Sequence, residues 1–258
     1  MDQKKKLAEN EKNGIMQAWA CGGGVQSAAI AALIYTEKIQ KPDYAWMIDC
    51  GWEKTKTMEY VVSVLTPKMA EVGVTLNIIK TTDYTDNSLF DKSGNPVLPL
   101  FVKKPDGTRI KYTIPHCSGP WKNQVANRWL RSQGVKRCDT WIGISVDEAK
   151  RAKKGRLKWN KNRYPLLEMG IRREDCIDYI ARLGWPKPEH SACLVCPNQN
   201  DWQWMDLKAN YPDDWQMAVE ADELMRDENP NLFLHGSCEP LRHVTFGEWG
   251  GGLKSPGT

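Results

Sequence analysis

The sequence lacks any run of 18 or more consecutive apolar residues, the length that an α-helix needs to cross a bilayer. Its first thirteen residues are polar and rich in lysine, and they lack the apolar stretch of a secretory signal. Without such a signal, eight cysteines in a chain of 258 residues argue against a secreted disulfide framework. These absences predict a cytoplasmic protein with no membrane partner.

Two common nucleotide-binding motifs are also missing. No Gly-Lys-Ser/Thr ending of a P-loop occurs, and no G-x-G-x-x-G precedes a distant acid. A glycine triplet is present instead, in Gly22-Gly23-Gly24-Val25-Gln26-Ser27. It follows an apolar strand and precedes a helical pattern, so backbone amides and the helix N-terminus are available to a phosphate group. A tight strand–helix turn without a ligand is the alternative.

Strands and helices alternate along the first part of the chain. Apolar runs predict strands at residues 15–20, 43–49, 74–79 and 140–145, and helical patterns occupy residues 26–39, 55–72, 121–132 and 172–183. Pro67 interrupts the second helix and is expected to kink or shorten it. The alternation predicts an α/β fold with a doubly wound, mostly parallel sheet.

The remaining segments break this rhythm. Turn signals at residues 93–96 and 105–107 predict an inserted flap over residues 81–115, with a hairpin of strands at 97–102 and 109–114. Tryptophan-rich helices are expected at 199–209 and 213–227. We predict a disordered tail at 1–14, a nucleotide-binding α/β domain at 15–165, a helical C-terminal region at 166–246 and a flexible tail at 247–258. The basic run Lys150 to Arg163 is either a solvated loop or a phosphate-binding segment.

Five segments carry a family resemblance. In chain order they are Gly22 to Ser27, Ile48-Asp49-Cys50-Gly51-Trp52-Glu53 with Thr57 beyond it, Cys117-Ser118-Gly119-Pro120-Trp121-Lys122, Gly143-Ile144-Ser145-Val146-Asp147-Glu148 followed by Arg151, and Ser191-Ala192-Cys193-Leu194-Val195-Cys196-Pro197. Together they resemble the PP-loop ATP pyrophosphatases. Within that superfamily they resemble the phosphoadenylylsulfate (PAPS) reductase family, in its divergent phage and mobile-element form.

The resemblance implies a fold like that of the adenine nucleotide alpha-hydrolases, binding ATP or another adenine nucleotide with Mg²⁺. The binding residues that it implies are Gly22, Gly23, Gly24, Gln26, Ser27, Asp49, Gly51 and Gly143. Lys122 and Arg151 are the implied catalytic phosphate partners. The sequence departs from the pattern at Gly22, where Ser is usual, and at Gln26, where Asp is usual. It also has no cysteine after Cys238, whereas the true reductases carry a C-terminal catalytic one.

The cysteines suggest a metal site. Cys193-x-x-Cys196 places two thiolates where they can bind one ion, and Pro197 stiffens the turn. The resemblance adds Cys117 and implies a [4Fe–4S] cluster, with zinc as the alternative. Cys176 is the first choice for the fourth ligand, ahead of Cys138 and His190. Cys21 and Cys50 are expected in the core, although Cys50 stands at the family's usual Thr position beside the pocket.

Three hypotheses follow for the function. The first is ATP-dependent adenylylation with sulfur transfer, in which an iron–sulfur cluster assists. The second is sulfonucleotide reduction, which the missing C-terminal cysteine disfavours. The third is a nucleotide-binding accessory protein without turnover that acts with nucleic acid, an idea that Gln26 and the basic run support. Partners to consider besides the nucleotide are nucleic acid, a sulfur-donor protein and a second copy of the chain.

Overall fold

The protein contains two β-sheets, one parallel and one antiparallel. The computed structural model describes residues 14–112 and 117–247. The strands are β1 Met16–Cys21, β2 Tyr44–Asp49, β3 Leu76–Lys80, β4 Leu100–Lys103, β5 Arg109–Tyr112, β6 Cys138–Ile142, β7 Asn160–Arg163 and β8 Leu232–Phe233. The α-helices are α1 Val25–Tyr35, α2 Thr55–Tyr60, α3 Thr66–Glu71, α4 Gln124–Ser132, α5 Pro165–Glu168, α6 Arg173–Arg182, α7 Asp201–Asn210 and α8 Pro212–Glu228. The predicted tails, 1–14 and 247–258, lie outside the described residues except for Gly14 and Gly247, and the end of the predicted second hairpin strand also lies outside them.

The chain divides into two units, each built from three separate segments. The first unit comprises the chain up to Asp49, Thr55–Tyr84 and Gln124–Ser191. The second comprises Cys50–Lys54, Thr85–Asn123 and the chain from Ala192 onward. The predicted boundary at residues 165 and 166 falls inside the first unit.

The first unit contains a five-stranded sheet in the order β3-β2-β1-β6-β7, and all of its strand pairs are parallel. Successive side chains of β1 alternate between two cores: Trp19 packs with α1, α3 and α6, while Ala18 packs with residues of α4 on the other face. Helices therefore cover both faces, as a buried parallel sheet requires. The predicted α/β class with a doubly wound sheet is confirmed.

The second unit contains the predicted hairpin. β4 and β5 pair antiparallel, with Val102 opposite Ile110, and β8 joins the other edge of β4. Buried side chains from β4, α7 and α8 share one core, in which Trp121 and Trp204 are fully buried. Burying a large apolar side chain contributes about 1.5–3 kcal/mol. The hairpin insertion and the helical C-terminal region are both confirmed.

Pro67 does not end the helix that contains it. A π-helical turn, Val61–Leu65, joins α2 to α3, and Pro67 lies in the first turn of α3. Proline has no N–H to donate to the preceding turn, and the wider π turn accommodates that loss. The Thr66 hydroxyl donates instead to the Val61 carbonyl oxygen at 2.9 Å. The predicted kink is a change of helix type at this point.

Among the described residues, no helix combines the length and apolar character required to span a membrane.

Candidate functional sites

The glycine turn connects β1 to α1 in the first unit. Gly23 has φ +70°, and a Cβ atom there would lie 2.5 Å from the Cγ2 atom of Thr57. A Cβ on Gly24 would lie 2.4 Å from the Ser191 hydroxyl oxygen. Side chains are therefore excluded at both positions, by backbone conformation at the first and by close packing at both. Gly22 is exposed, whereas Gly23 and Gly24 are buried, so the surroundings of these two positions require glycine.

The turn lies where the strand order of the sheet reverses. β2 and β3 lie on one side of β1, whereas β6 and β7 lie on the other. In open α/β sheets, ligands bind at this switch point, beyond the carboxyl ends of the strands. Gly143 follows β6 directly, and a Cβ there would lie 3.2 Å from the Gln26 Cβ and 3.3 Å from the Ser27 nitrogen. The predicted residues Gly143, Gln26 and Ser27 therefore come together at the switch point.

Helix α1 begins immediately after the glycines. Its first intrahelical bond runs from the Ala28 N–H to the Gly24 carbonyl oxygen at 2.9 Å, and no side chain caps the helix at Gly24. The Gly22 N–H donates to the Ser27 hydroxyl at 2.8 Å, which holds the turn closed. An uncapped helix N-terminus carries partial positive charge and presents N–H groups to an anion.

Gln26 is held at both ends of its amide. Its Nε2 donates to the Glu148 carboxylate at 3.1 Å, and its Oε1 accepts from the Arg173 guanidinium at 3.2 Å. The predicted catalytic residue Arg151 donates to the same Glu148 carboxylate at 2.6 Å. The Arg173 backbone N–H donates to Asp147 at 2.6 Å, which lowers the pKa of that carboxyl. Two guanidinium groups therefore lie in the network that surrounds the loop residue Gln26.

The remaining predicted site residues, Asp49, Gly51 and Lys122, are divided between the two units. Asp49 is the last residue of β2 in the first unit. Gly51 belongs to the second unit and has φ +77°, with the Asn87 amide nitrogen 2.6 Å from the position of a Cβ. Lys122 also belongs to the second unit, where its ammonium lies 2.5 Å from the Glu53 carboxylate. Their roles in binding and catalysis stay predictions.

The second unit brings its cysteines together by pairing two short segments. Glu53 forms an isolated antiparallel bridge with Cys193, and the Leu194 N–H donates to the Trp52 carbonyl oxygen at 2.7 Å. Cys193 and Cys196 are joined by a turn, with the Cys196 N–H 3.1 Å from the Cys193 carbonyl oxygen. Backbone pairing thus holds the C-x-x-C turn against the segment that contains Cys50.

Three ligand atoms converge at this pairing. The Sγ atoms of Cys50 and Cys193 are 3.8 Å apart. The Glu53 carboxylate lies 3.3 Å from Cys50 Sγ and 3.7 Å from Cys193 Sγ. The ligand atoms of Cys50, Glu53 and Cys193 all lie within 4.8 Å of one another. Among the described residues, no other group of three or more His, Cys, Asp or Glu side chains meets this condition. Two thiolates and a carboxylate are a donor set that suits zinc and other thiophilic metals.

Charge in this cluster is balanced by Lys122. A hydrogen bond from Cys50 lowers the pKa of the Cys193 thiol, and the same bond, with burial and Glu53, raises the pKa of the Cys50 thiol. Burial lowers the pKa of Lys122, but the negative charges of Glu53, Cys193 and Cys50 outweigh it and raise that pKa. The ammonium therefore stays charged beside the thiol groups.

Cys117 and Cys196 complete the cysteines of this region. Both are partly buried in the second unit. Burial, together with the charges of Cys193 and Cys196, raises the pKa of the Cys117 thiol to about 11. Burial and the Cys193 charge likewise raise the pKa of Cys196. The predicted ligands Cys117, Cys193 and Cys196 therefore belong to one unit and influence each other electrostatically.

Cys176 lies elsewhere in the fold. It is a fully buried residue of α6 in the first unit and packs in that unit's apolar core. Burial raises the pKa of its thiol to about 12. Its role as a ligand stays a prediction. Sequence reasoning did not bring Cys50 and Glu53 together with Cys193. The position of Cys50 and Glu53 directly after β2, at the carboxyl end of a parallel strand, was the available signal.

No protein-family model matches the sequence, and no curated protein matches it. Among solved structures, the chain is similar to the U34-tRNA thiolase NcsA from Methanococcus maripaludis with its [4Fe-4S] cluster. The identity is 16% and the TM-score 0.45, over 82% of this chain and 72% of the other. It is also similar to phosphoadenylyl-sulfate (PAPS) reductase from Candida auris in a phosphate complex, at 18% identity and a TM-score of 0.43, over 67% of this chain and 75% of the other.

Proposed function

We propose that this chain binds an adenine nucleotide, ATP in the first instance, at the loop Gly22 to Ser27, in the manner of PP-loop proteins. The observation that carries the proposal is the place of the loop. It combines side-chain-free glycine backbone, an uncapped helix N-terminus and the switch point of a parallel sheet. Each of these features favours an anion, and together they suit a polyphosphate.

The proposed reaction is adenylylation. An oxygen nucleophile of the acceptor attacks the α-phosphorus of ATP, the bond between the α-phosphorus and the bridging oxygen breaks, and pyrophosphate leaves. The protein's contribution is to position the phosphates and to offset their charge. The Arg173 and Arg151 guanidinium groups in the Gln26 network are suited to that purpose. Mg²⁺ is the proposed companion ion of the nucleotide.

The proposed second step is sulfur transfer, in which sulfide attacks the carbon that bears the adenylylated oxygen, the bond from that carbon to oxygen breaks, and AMP leaves. Cys117, Cys193 and Cys196 would hold the metal centre, for which an iron–sulfur cluster is our first choice and zinc the alternative. The clustered thiols of the second unit suit either group. A cluster would offer a site for binding sulfur, whereas zinc would keep the thiolates structural.

Nucleic acid is the macromolecular acceptor that we propose. Seven of the eight basic side chains between Lys150 and Arg163 are exposed, and Arg163 is the exception because it pairs with Glu168. Exposed lysine and arginine attract a phosphate backbone, and the resulting affinity falls as salt rises. A sulfur-donor protein and a second copy of the chain stay further partners to test.

The test of the nucleotide site is calorimetric titration with ATP and Mg²⁺. We expect Gly23→Ala to weaken ATP binding at least tenfold, because a Cβ there collides with Thr57. Gly73→Ala is the matched control, since Gly73 also has positive φ (+76°) but has open space around its Cβ position. Both variants carry a backbone strain of about 1–3 kcal/mol, and only the first should change the affinity. Equal ATP affinity in the wild type and Gly23→Ala would contradict the proposal.

Product analysis then separates the three functions. Pyrophosphate and AMP formed from ATP would support adenylylation. Thiol-dependent release of sulfite from an adenylyl sulfate would identify a reductase instead. Tight binding of ATP without any product, in the presence of candidate nucleic acids, would identify the accessory role.

A further inference from the structure

The metal centre proposed above needs a fourth protein ligand, and the second unit offers one. Cys50 lies at the pairing of residues 50–54 with the C-x-x-C segment, and its Sγ is 3.8 Å from that of Cys193. Two thiolates on one tetrahedral zinc ion, with Zn–S bonds of about 2.3 Å, are about 3.8 Å apart. The observed separation therefore suits two thiolates on a single ion, which is the zinc alternative of the proposed centre.

We propose that Cys50 is a thiolate ligand of the metal centre formed with Cys117, Cys193 and Cys196, in the place that Cys176 was expected to fill. This inference rests on the cofactor part of the proposed function and names its remaining ligand. All four cysteines belong to the second unit. Cys50 and Cys176 are both fully buried, but Cys176 belongs to the core of the first unit.

The backbone fixes Cys50 relative to Cys193. The Glu53–Cys193 bridge and the bond from Leu194 N–H to the Trp52 carbonyl hold the two segments side by side. Asn87 supports this pairing, because its side-chain amide donates to the Cys50 carbonyl oxygen at 3.0 Å. Ligands whose backbone is already held in place lose little freedom on binding a metal.

The surrounding charges also suit a thiolate-rich centre. Four thiolates on a divalent ion leave a net charge of about −2. The Lys122 ammonium, held by Glu53 at 2.5 Å, adds positive charge at the edge of the cysteine group. Glu53 thus acts as a positioning residue that directs Lys122 towards the sulfur atoms.

The experiment compares the full-length wild type with Cys50→Ser and with the matched control Cys176→Ser. Each protein is purified anaerobically, and zinc, iron and acid-labile sulfide are quantified per chain together with the visible spectrum. We expect Cys176→Ser to keep the wild-type metal content and Cys50→Ser to lose at least half of it. Circular dichroism and thermal unfolding establish that each variant is folded.

Differential alkylation of the wild type gives an answer that does not depend on a variant's folding. Thiols are labelled before and after metal removal by a chelator and located by mass spectrometry. Because Cys50 and Cys176 are both fully buried, labelling is done in mild urea. We expect metal removal to speed the labelling of Cys50 together with Cys117, Cys193 and Cys196, and to leave the labelling rate of Cys176 unchanged. Labelling of Cys50 that is independent of the metal would overturn the inference.

The experiments distinguish failure of the Cys50 assignment from failure of the metal centre itself. Full metal content in Cys50→Ser, or its loss in Cys176→Ser, overturns the assignment of Cys50 and leaves the metal centre standing. A wild type that holds no metal, even after anaerobic treatment with zinc or with iron and sulfide, overturns both the centre and its fourth ligand. Neither result bears on ATP binding at the glycine loop, which the titration tests separately.

Discussion

Gln26 shows how a single substitution in a motif changes the chemistry around it. The family that the motifs resemble has Asp at this position, and an Asp here would direct a second carboxylate towards Glu148. The neutral amide instead donates to Glu148 and accepts from Arg173. The side chain therefore joins a negative group to a positive one without adding charge of its own.

A double-mutant cycle of Gln26→Glu and Glu148→Gln tests this arrangement. Gln26→Glu places a carboxylate beside Glu148, so we expect it to destabilise the wild type by about 1 kcal/mol more than it destabilises the Glu148→Gln variant. The contribution of Arg173 is the same in both backgrounds and cancels. Urea unfolding of the two single variants and the double variant gives the coupling. The control is Glu168→Gln, whose carboxylate pairs with Arg163 and should show no coupling to residue 26.

At the residue scale, the sequence predicted the neighbours of the glycine loop but not the contact between Cys50 and Cys193. A glycine triplet directly after an apolar strand can be recognised from the sequence alone. The structure brings Gln26 and Ser27 close to Gly143, as the motifs implied. Cys50 was expected in the core, and it is fully buried there. Its contact with Cys193 depends on a backbone pairing between distant segments, which no local pattern reveals.

At the scale of elements, helix α8 is tied to the chain that follows it by Asp222. This carboxylate is fully buried. It accepts from the backbone N–H groups of Leu234 at 3.0 Å and Leu241 at 2.7 Å, and it pairs with Arg226 one helical turn away. One side chain thus satisfies two buried donors and a cation, and holds the segment after β8 on the helix.

Removing this carboxylate should be costly. We expect Asp222→Ala to lower the free energy of unfolding by about 3–5 kcal/mol, because Arg226 and two buried N–H groups lose their acceptor. Glu220→Ala, on the exposed face of the same helix, should change it by less than about 0.5 kcal/mol. Urea unfolding followed by tryptophan fluorescence measures both. A loss below about 1 kcal/mol for Asp222→Ala would show that this segment is held by other contacts.

Element positions were largely predictable because periodicity is a local property. Four of the five strands of the parallel sheet, and the hairpin, occur close to where apolar runs and turn signals place them. The sequence predicted a disturbance of the helix at Pro67 but not the π-helical turn before it, because that turn depends on how the chain accommodates the missing N–H donor. The short strand β7 inside the basic run was also missed, because its polar residues have no strand-like alternation.

At the scale of the whole molecule, the two units are discontinuous, so the chain cannot be cut at one point into two folding parts. A chain that ends at residue 165 keeps the strands of the parallel sheet. It loses α6, whose Ile180 and Cys176 fill the core beneath α1, and it loses the later segment of the second unit.

We therefore expect the truncated chain, residues 1–165, to be unfolded or aggregated. Size-exclusion chromatography, circular dichroism and thermal unfolding against the full chain measure this. A soluble fragment with a cooperative unfolding transition would contradict the expectation and would support the predicted domain boundary.

The strand order also has a consequence for synthesis. β1 is the central strand, yet its partner β6 is encoded far downstream, with Met16 opposite Cys138. During translation, β1 leaves the ribosome well before β6, so the central strand lacks one of its two partners until residue 142 has been made. Late, non-local pairing of this kind slows folding and leaves apolar strand surface exposed in the nascent chain. The glycine loop is thus made long before Gly143, the residue after β6 that packs against it.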